Sequence, residues 1–173
     1  MRTIIYQLLT KLHRHHKPRE FGKICQKFLA LAFRESGFAH VVERGVQGVD
    51  VDAANGSIER YSIEHKMTSK DSVELKRKDV EGLMSRCQDG YLPLLGVLRL
   101  GPLSDWLLAK ADQLQPGRLC VERLRPYRHK DLEEVIRPCL DGVIEQHYES
   151  TLYGSQAYLD GVLRGKGVEI LSQ

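Results

Sequence analysis

Two alternating stretches, residues 46–53 and 60–68, flank an Asn55-Gly56 pair and constrain the fold of this chain more than any other feature. In 46–53, the run Val-Gln-Gly-Val-Asp-Val-Asp-Ala puts Asp50 and Asp52 on one face of an extended strand, with Val49, Val51 and Ala53 on the other. In 60–68, Tyr61, Ile63 and Met67 share a face with His65, while Ser62, Glu64, Lys66 and Thr68 share the opposite one. Asn-Gly between such runs signals a hairpin. Because side chains repeat every second residue, register decides what meets what. A strict two-residue turn would pair Asp50 with Tyr61; an odd-length loop or a bulge would bring it to the face of Glu64.

Around the hairpin the pattern changes period. Residues 19–36 carry Phe21, Ile24, Cys25, Phe28, Leu29, Leu31, Ala32 and Phe33 at helical spacing, with Pro18 at the entrance and Gly37 beyond the exit. Residues 38–44 predict a strand, 71–87 a polar helix with Val73, Val80, Leu83 and Met84 inward, and 92–100 a central strand. Residues 106–114 fit either strand or helix, and 118–124 fit a strand after Pro116-Gly117. Two helices follow, 131–148 and 150–164, the first kinked at Pro138. The His13–His16 run reads as a flexible basic segment, and Tyr91 and Trp106 as core or partly buried packing.

The polar face of the hairpin has the parts that phosphodiester hydrolysis needs. A divalent cation neutralises the phosphate and activates water, and it prefers carboxylate oxygens. Two carboxylates on adjacent strands make a stiff cradle for it, and a neighbouring lysine can hold the water or a phosphate oxygen. Asp50, then Glu64 and Lys66 two residues apart, supply that set.

Val49-Asp50-Val51 followed by Ile63-Glu64-His65-Lys66 resembles the PD-(D/E)XK nuclease superfamily, which includes restriction endonucleases and archaeal Holliday junction resolvases. The resemblance spans about 19–100. It implies an α/β fold with a restriction-endonuclease-like αβββαβ core, a mixed central sheet and added C-terminal helices. Residues 1–128 would form the nuclease-like core and 129–173 a helical extension packed on it. It further implies that Asp50, Glu64 and the His65 backbone carbonyl hold Mg²⁺ or Mn²⁺, and that Lys66 positions the attacking water. Many members carry a glutamate on the first helix; the matching position is Gln26, which can hydrogen-bond near a metal-bound water but adds no charge. Asp52 and Glu20 are the nearby acids open to that role instead. The implied activity is a DNA endonuclease of the restriction or repair kind. The alternatives are a junction-resolving nuclease or an inactive DNA-binding module. A homodimer would use the apolar faces of Leu132, Val135, Ile136, Leu140, Val143 and Ile144.

The remaining composition sets bounds. With 173 residues, 42% of them hydrophobic, the chain can bury one sizeable core. No stretch reaches the ~18 apolar residues of a membrane span, and Met1 to Thr10 lacks the pattern of a secretory leader, so a cytoplasmic location is expected. Cys25, Cys87, Cys120 and Cys139 have no metal-ligand spacing and are expected to be free thiols. Net charge is only +3, but the basic residues cluster. Arg14, Lys17 and Arg19 lie in one group and Lys70, Lys76 and Lys78 in another; both are candidate DNA-backbone contacts. There is no P-loop and no nucleophile elbow.

Overall fold

A computed structural model describes residues 2–44 and 48–171. Val46 and Gln47, included in the expected strand, lie outside the described residues. The elements are α1 (Arg2–His15), α2 (Pro18–Glu35), β1 (His40–Arg44), β2 (Val51–Asn55), β3 (Glu59–Thr68), β4 (Ser72–Leu75), α3 (Arg77–Gln88), β5 (Leu92–Arg99), β6 (Asp105–Lys110), β7 (Gly117–Cys120), α4 (Val121–Leu124), a 3-10 turn at Arg125–Tyr127, α5 (Lys130–Gly165) and β8 (Glu169–Leu171). The expected αβββαβ core is present as α2, β1 to β3, α3 and β5. Six strands form a mixed sheet in the order β6-β5-β3-β2-β1-β8, with β3–β5 and β1–β8 parallel. Strands β4 and β7 make a separate antiparallel pair.

The central strands are covered on both faces. On one side α1, α2 and α5 pack Phe21, Phe28, Ile136 and Ile144 against Val51, Ala53, Ile63, Leu94 and Leu98. On the other, Leu83 of α3 joins Val73, Leu75, Leu95, Val97 and Leu107 in a smaller cluster. Alternation along β5 feeds both clusters, as expected of a strand buried on two sides. The polar face of β3 is therefore not open to water: Ser62, Glu64 and Thr68 are buried beneath α3.

Several expectations are corrected. Residues 71–87 are not one helix: Val73 and Leu75 face the same cluster from β4, and α3 begins at Arg77. The basic N-terminal run ends a helix whose Ile5, Leu9 and Leu12 are buried. The two expected C-terminal helices are present, but the break between them falls at Ser155, where φ is 55° and ψ is −149°, and not at residue 149. Pro138 leaves no such break; it is exposed, as is Glu134, whose carbonyl the missing N–H would have served and which can turn to water. Of the six apolar residues expected to drive dimerisation, Leu132, Ile136, Leu140, Val143 and Ile144 are buried within the chain, and only Val135 is exposed. No described helix is long and apolar enough to cross a membrane.

Candidate active site

The hairpin settles the register. Asn55 pairs with Glu59, so the loop holds Gly56, Ser57 and Ile58, an odd number. Gly56 takes φ +68°, a conformation glycine adopts without strain. Val51 pairs with Ile63 and Asp52 with Ser62, which brings Asp50 level with Glu64.

A bulge then aims Asp50. Its N–H donates to the Ile63 carbonyl at 2.9 Å, although Ile63 is already the partner of Val51. The irregularity reverses Val49, which joins the α3-side cluster instead of the face of Val51 and Ala53 on which strict alternation places it. Beyond this point the ladder is continued by a side chain: the His65 N–H donates to Asp50 Oδ2 at 2.8 Å. In an extended residue the N–H and C=O point to the same edge, so the His65 carbonyl also opens towards Asp50. The imidazole turns to the other face of the sheet, beside Gly96, and burial pushes its pKa down to about 4.

Lys66 Nζ lies 2.7 Å from Glu64 Oε1 and 2.7 Å from Asp79 Oδ2. Asp79 is held in turn by the start of α3, where its Oδ2 accepts the Lys76 N–H at 2.9 Å. Lys66 thus bridges two carboxylates, with Asp50 close by as a third, and the crowding shows in their acidity. Burial pushes Asp50 up to about 6, against the His65 N–H and the charges of Lys23 and Lys66. Burial, then the charge of Asp50, pushes Glu64 up to about 8 despite the adjacent ammonium. For Lys66, burial favours the neutral amine, but Glu64 and Asp79 together outweigh it and hold the pKa above its ordinary value.

These residues fit a hard divalent cation. Glu64 Oε2 is buried without a hydrogen-bond partner, a costly state for a carboxylate oxygen. That oxygen, the Asp50 carboxylate and the His65 carbonyl form an all-oxygen set of the kind Mg²⁺ and Mn²⁺ prefer. Among the described residues, however, no three His, Cys, Asp or Glu side chains form a metal-binding cluster. Asp79 is drawn away by Lys66 and the Lys76 N–H, and the first helix contributes no acid.

Gln26 is buried on α2 and turned to a different use. Its Nε2 reaches Glu43 Oε1 at 2.6 Å, the Arg44 carbonyl at 2.9 Å and the Asp50 carbonyl at 3.1 Å. Its Oε1 accepts from Lys23 Nζ at 3.1 Å. It therefore holds the backbone of Asp50 and leaves the carboxylate free. Asp52 is saturated by Ser62 Oγ, Arg44 and Arg86, and Glu20 is bound to Ser155 and Gln156 of α5. Neither can turn to a metal at Asp50.

Lys70, Lys76 and Lys78 are exposed, the last two at the α3 terminus that carries Asp79. Arg19 is exposed on the α2 stripe that continues through Lys23 to Gln26. Lys17 is exposed between α1 and α2, and Arg14 lines a groove between α1 and the β5–β6 turn that includes none of the Asp50, Glu64 and Lys66 set. Sequence reasoning missed Lys23, Asp79 and Glu43. Asp79 had a legible signal, since an acid three residues after a helix start is a capping position; Glu43 had none.

Neither the protein-family models nor the curated proteins give a match to this chain. Among solved structures, the chain is similar in fold to Hjc, a Holliday junction resolvase from the archaeal hyperthermophile Archaeoglobus fulgidus, with a TM-score of 0.53 and 18% identity over 66% of this chain and 94% of that one.

Proposed function

We propose that this chain is a Mg²⁺- or Mn²⁺-dependent DNA endonuclease, of the restriction or DNA-repair kind, in which Asp50, Glu64 and the His65 carbonyl hold the ion. The observation that carries this reading is the excess of buried carboxylate charge around one lysine, with Glu64 Oε2 lacking a partner. A divalent ion held there would supply charge neutralisation at a phosphate and a water of lowered pKa. Lys66, fixed by Glu64 and Asp79, presents its ammonium to the attacking water or a non-bridging phosphate oxygen. Gln26 keeps the Asp50 backbone in place. Lys70, Lys76, Lys78, Arg14, Lys17 and Arg19 would contact the DNA backbone, and residues 129–173 would serve as a helical extension. A cytoplasmic location belongs to the same reading.

The fold likeness to Hjc favours a second reading, cleavage of four-way junctions. That version calls for a homodimer through a surface other than the largely buried apolar face of α5. Plasmid and four-way-junction DNA, incubated with Mg²⁺ or Mn²⁺ and either wild type or Lys66→Ala, test both. Cleavage by wild type and its loss in Lys66→Ala is the expected result, and preference for the junction selects the resolvase. Equal cleavage by the two proteins would falsify the mechanism. Salt-sensitive DNA binding by wild type without cleavage would instead make the chain a binding module.

A further inference from the structure

The face of β3 that carries Glu64 and Lys66 also carries Arg60, four residues nearer the hairpin turn. The Arg60 guanidinium lies over the Tyr91 ring, 4.2 Å from its centre, and the Arg86 guanidinium of α3 also lies 4.2 Å from that centre. Gly90, which closes α3 with φ +85°, gives Arg60 room: a Cβ there would sit 3.4 Å from Nη1. The two arginines differ in their partners. Arg86 is paired with Asp52 at 2.9 Å and with Asp89 at 2.7 Å, and Asp52 also takes Arg44 at 2.9 Å. Among the described residues Arg60 makes no ion pair, and it remains partly open to solvent. Three guanidiniums therefore meet two carboxylates, and the surplus positive charge falls on Arg60.

An aromatic ring attracts each cation lying over it through the negative charge of its face, and so restrains both guanidiniums. The entropy of ordering a long side chain is thus spent before any ligand arrives. A rigid, uncompensated guanidinium suits an anion with several oxygens, which it can grip with two parallel N–H donors. Four strand residues place it ~13 Å from Glu64, so a phosphate held at Arg60 and one at Glu64 would lie a few nucleotides apart on one DNA strand.

We propose that Arg60, held by Tyr91, is a backbone-phosphate contact that fixes DNA at the hairpin end of β3, beside the C-terminal end of α3 and a few nucleotides from the phosphate at Glu64. The proposal rests on the nuclease reading for its ligand. Binding of a labelled duplex is measured in proteins that also carry Lys66→Ala, so that no cleavage intervenes, with KCl from about 50 to 200 mM. Arg60→Gln is expected to weaken binding and to flatten the slope of log Kobs against log[salt] by about 0.9, the loss of one phosphate contact. Arg60→Lys keeps the charge and is expected to retain the slope. Tyr91→Leu leaves both arginines but frees them, and is expected to lower affinity by roughly 3- to 10-fold through ordering cost. An Arg60→Gln protein that melts like its parent and binds with the parent's slope and affinity overturns the proposal while leaving the nuclease reading intact. A parent without salt-sensitive DNA binding overturns both.

Discussion

The burial of Glu64, with the charges of Asp50 and Asp79 added to it, should be measurable as a pH-dependent loss of stability that vanishes when Glu64 is made neutral. Glu64 has an ordinary pKa of 4.5 and is pushed up to about 8 in the folded chain. The folded state therefore binds the Glu64 proton more tightly than the unfolded state does. This contribution is fully present below pH 4.5 and is lost as pH rises through 8. Asp50, pushed up to about 6, has the same sign at lower pH. His65 opposes both: its pKa is lowered from 6.5 to about 4, so it adds stability as pH rises between those values. The window in which Glu64 acts with least interference is pH 6.5 to 8. Across it, the linkage relation gives a loss of roughly 1–2 kcal/mol from this one carboxyl.

Urea unfolding in EDTA at several pH values, for wild type beside Glu64→Gln, isolates that quantity because the histidines titrate in both proteins. Wild type should lose roughly 1–2 kcal/mol more than Glu64→Gln between pH 6.5 and 8. Saturating Mg²⁺ should remove most of the difference, since a bound dication replaces the proton as the counter-charge. Unfolding free energies that run parallel for the two proteins across this window would refute the charge-excess argument.

Two further outcomes follow from the packing around the site. Gln26→Glu introduces an acid at this helix position but destroys the donor shared by Glu43, Arg44 and Asp50, and sets a second carboxylate against buried Glu43. It should cost about 3 kcal/mol and yield no gain in metal-dependent cleavage, read by urea unfolding and plasmid nicking. Gly82→Ala places a Cβ 2.9 Å from the Gly48 backbone Cα, next to the bulge that aims Asp50. A loss of about 1–3 kcal/mol is expected, with thermal melting as the check.

The hydrophobic periods of the chain were enough to place α2, β3 and β5, because each carries its pattern over a long run buried on at least one side. A break between two C-terminal helices was legible but its place was not: nothing in Gly154-Ser155-Gln156 announces that Glu20, distant in sequence, accepts from the Ser155 hydroxyl and the Gln156 N–H. Strand β4 was hidden for a related reason. Leu75 sits only two residues from the helix start at Arg77, and the pairing of β4 with β7 is known only once both are folded. In the site, Glu64 and Lys66 were legible as a pair on one strand face, whereas the position of Asp50 depended on loop length. Asn55-Gly56 suggested a two-residue turn, but Asn55 stays in the ladder and Ile58, an unusual turn residue, completes the loop. Gln26 was marked as a lost acid; its value as a donor to three acceptors came from Glu43, which sequence spacing could not connect to it.

The ladder that ends on the Asp50 carboxylate also limits how this protein can change. A sheet ordinarily lengthens by adding a residue to each of two paired strands, a conservative alteration. Here another backbone carbonyl at that edge would take the His65 N–H now bound by Asp50 Oδ2. A single residue inserted within β2 would turn the following side chains to the opposite layer. The loop at Gly56–Ile58 has neither restriction. Residues added there lie beyond the last pair, Asn55 and Glu59, and leave every partner nearer the site in step. Insertions among descendants of this chain should therefore accumulate at the hairpin tip, while the opposite end of the same strands keeps its length.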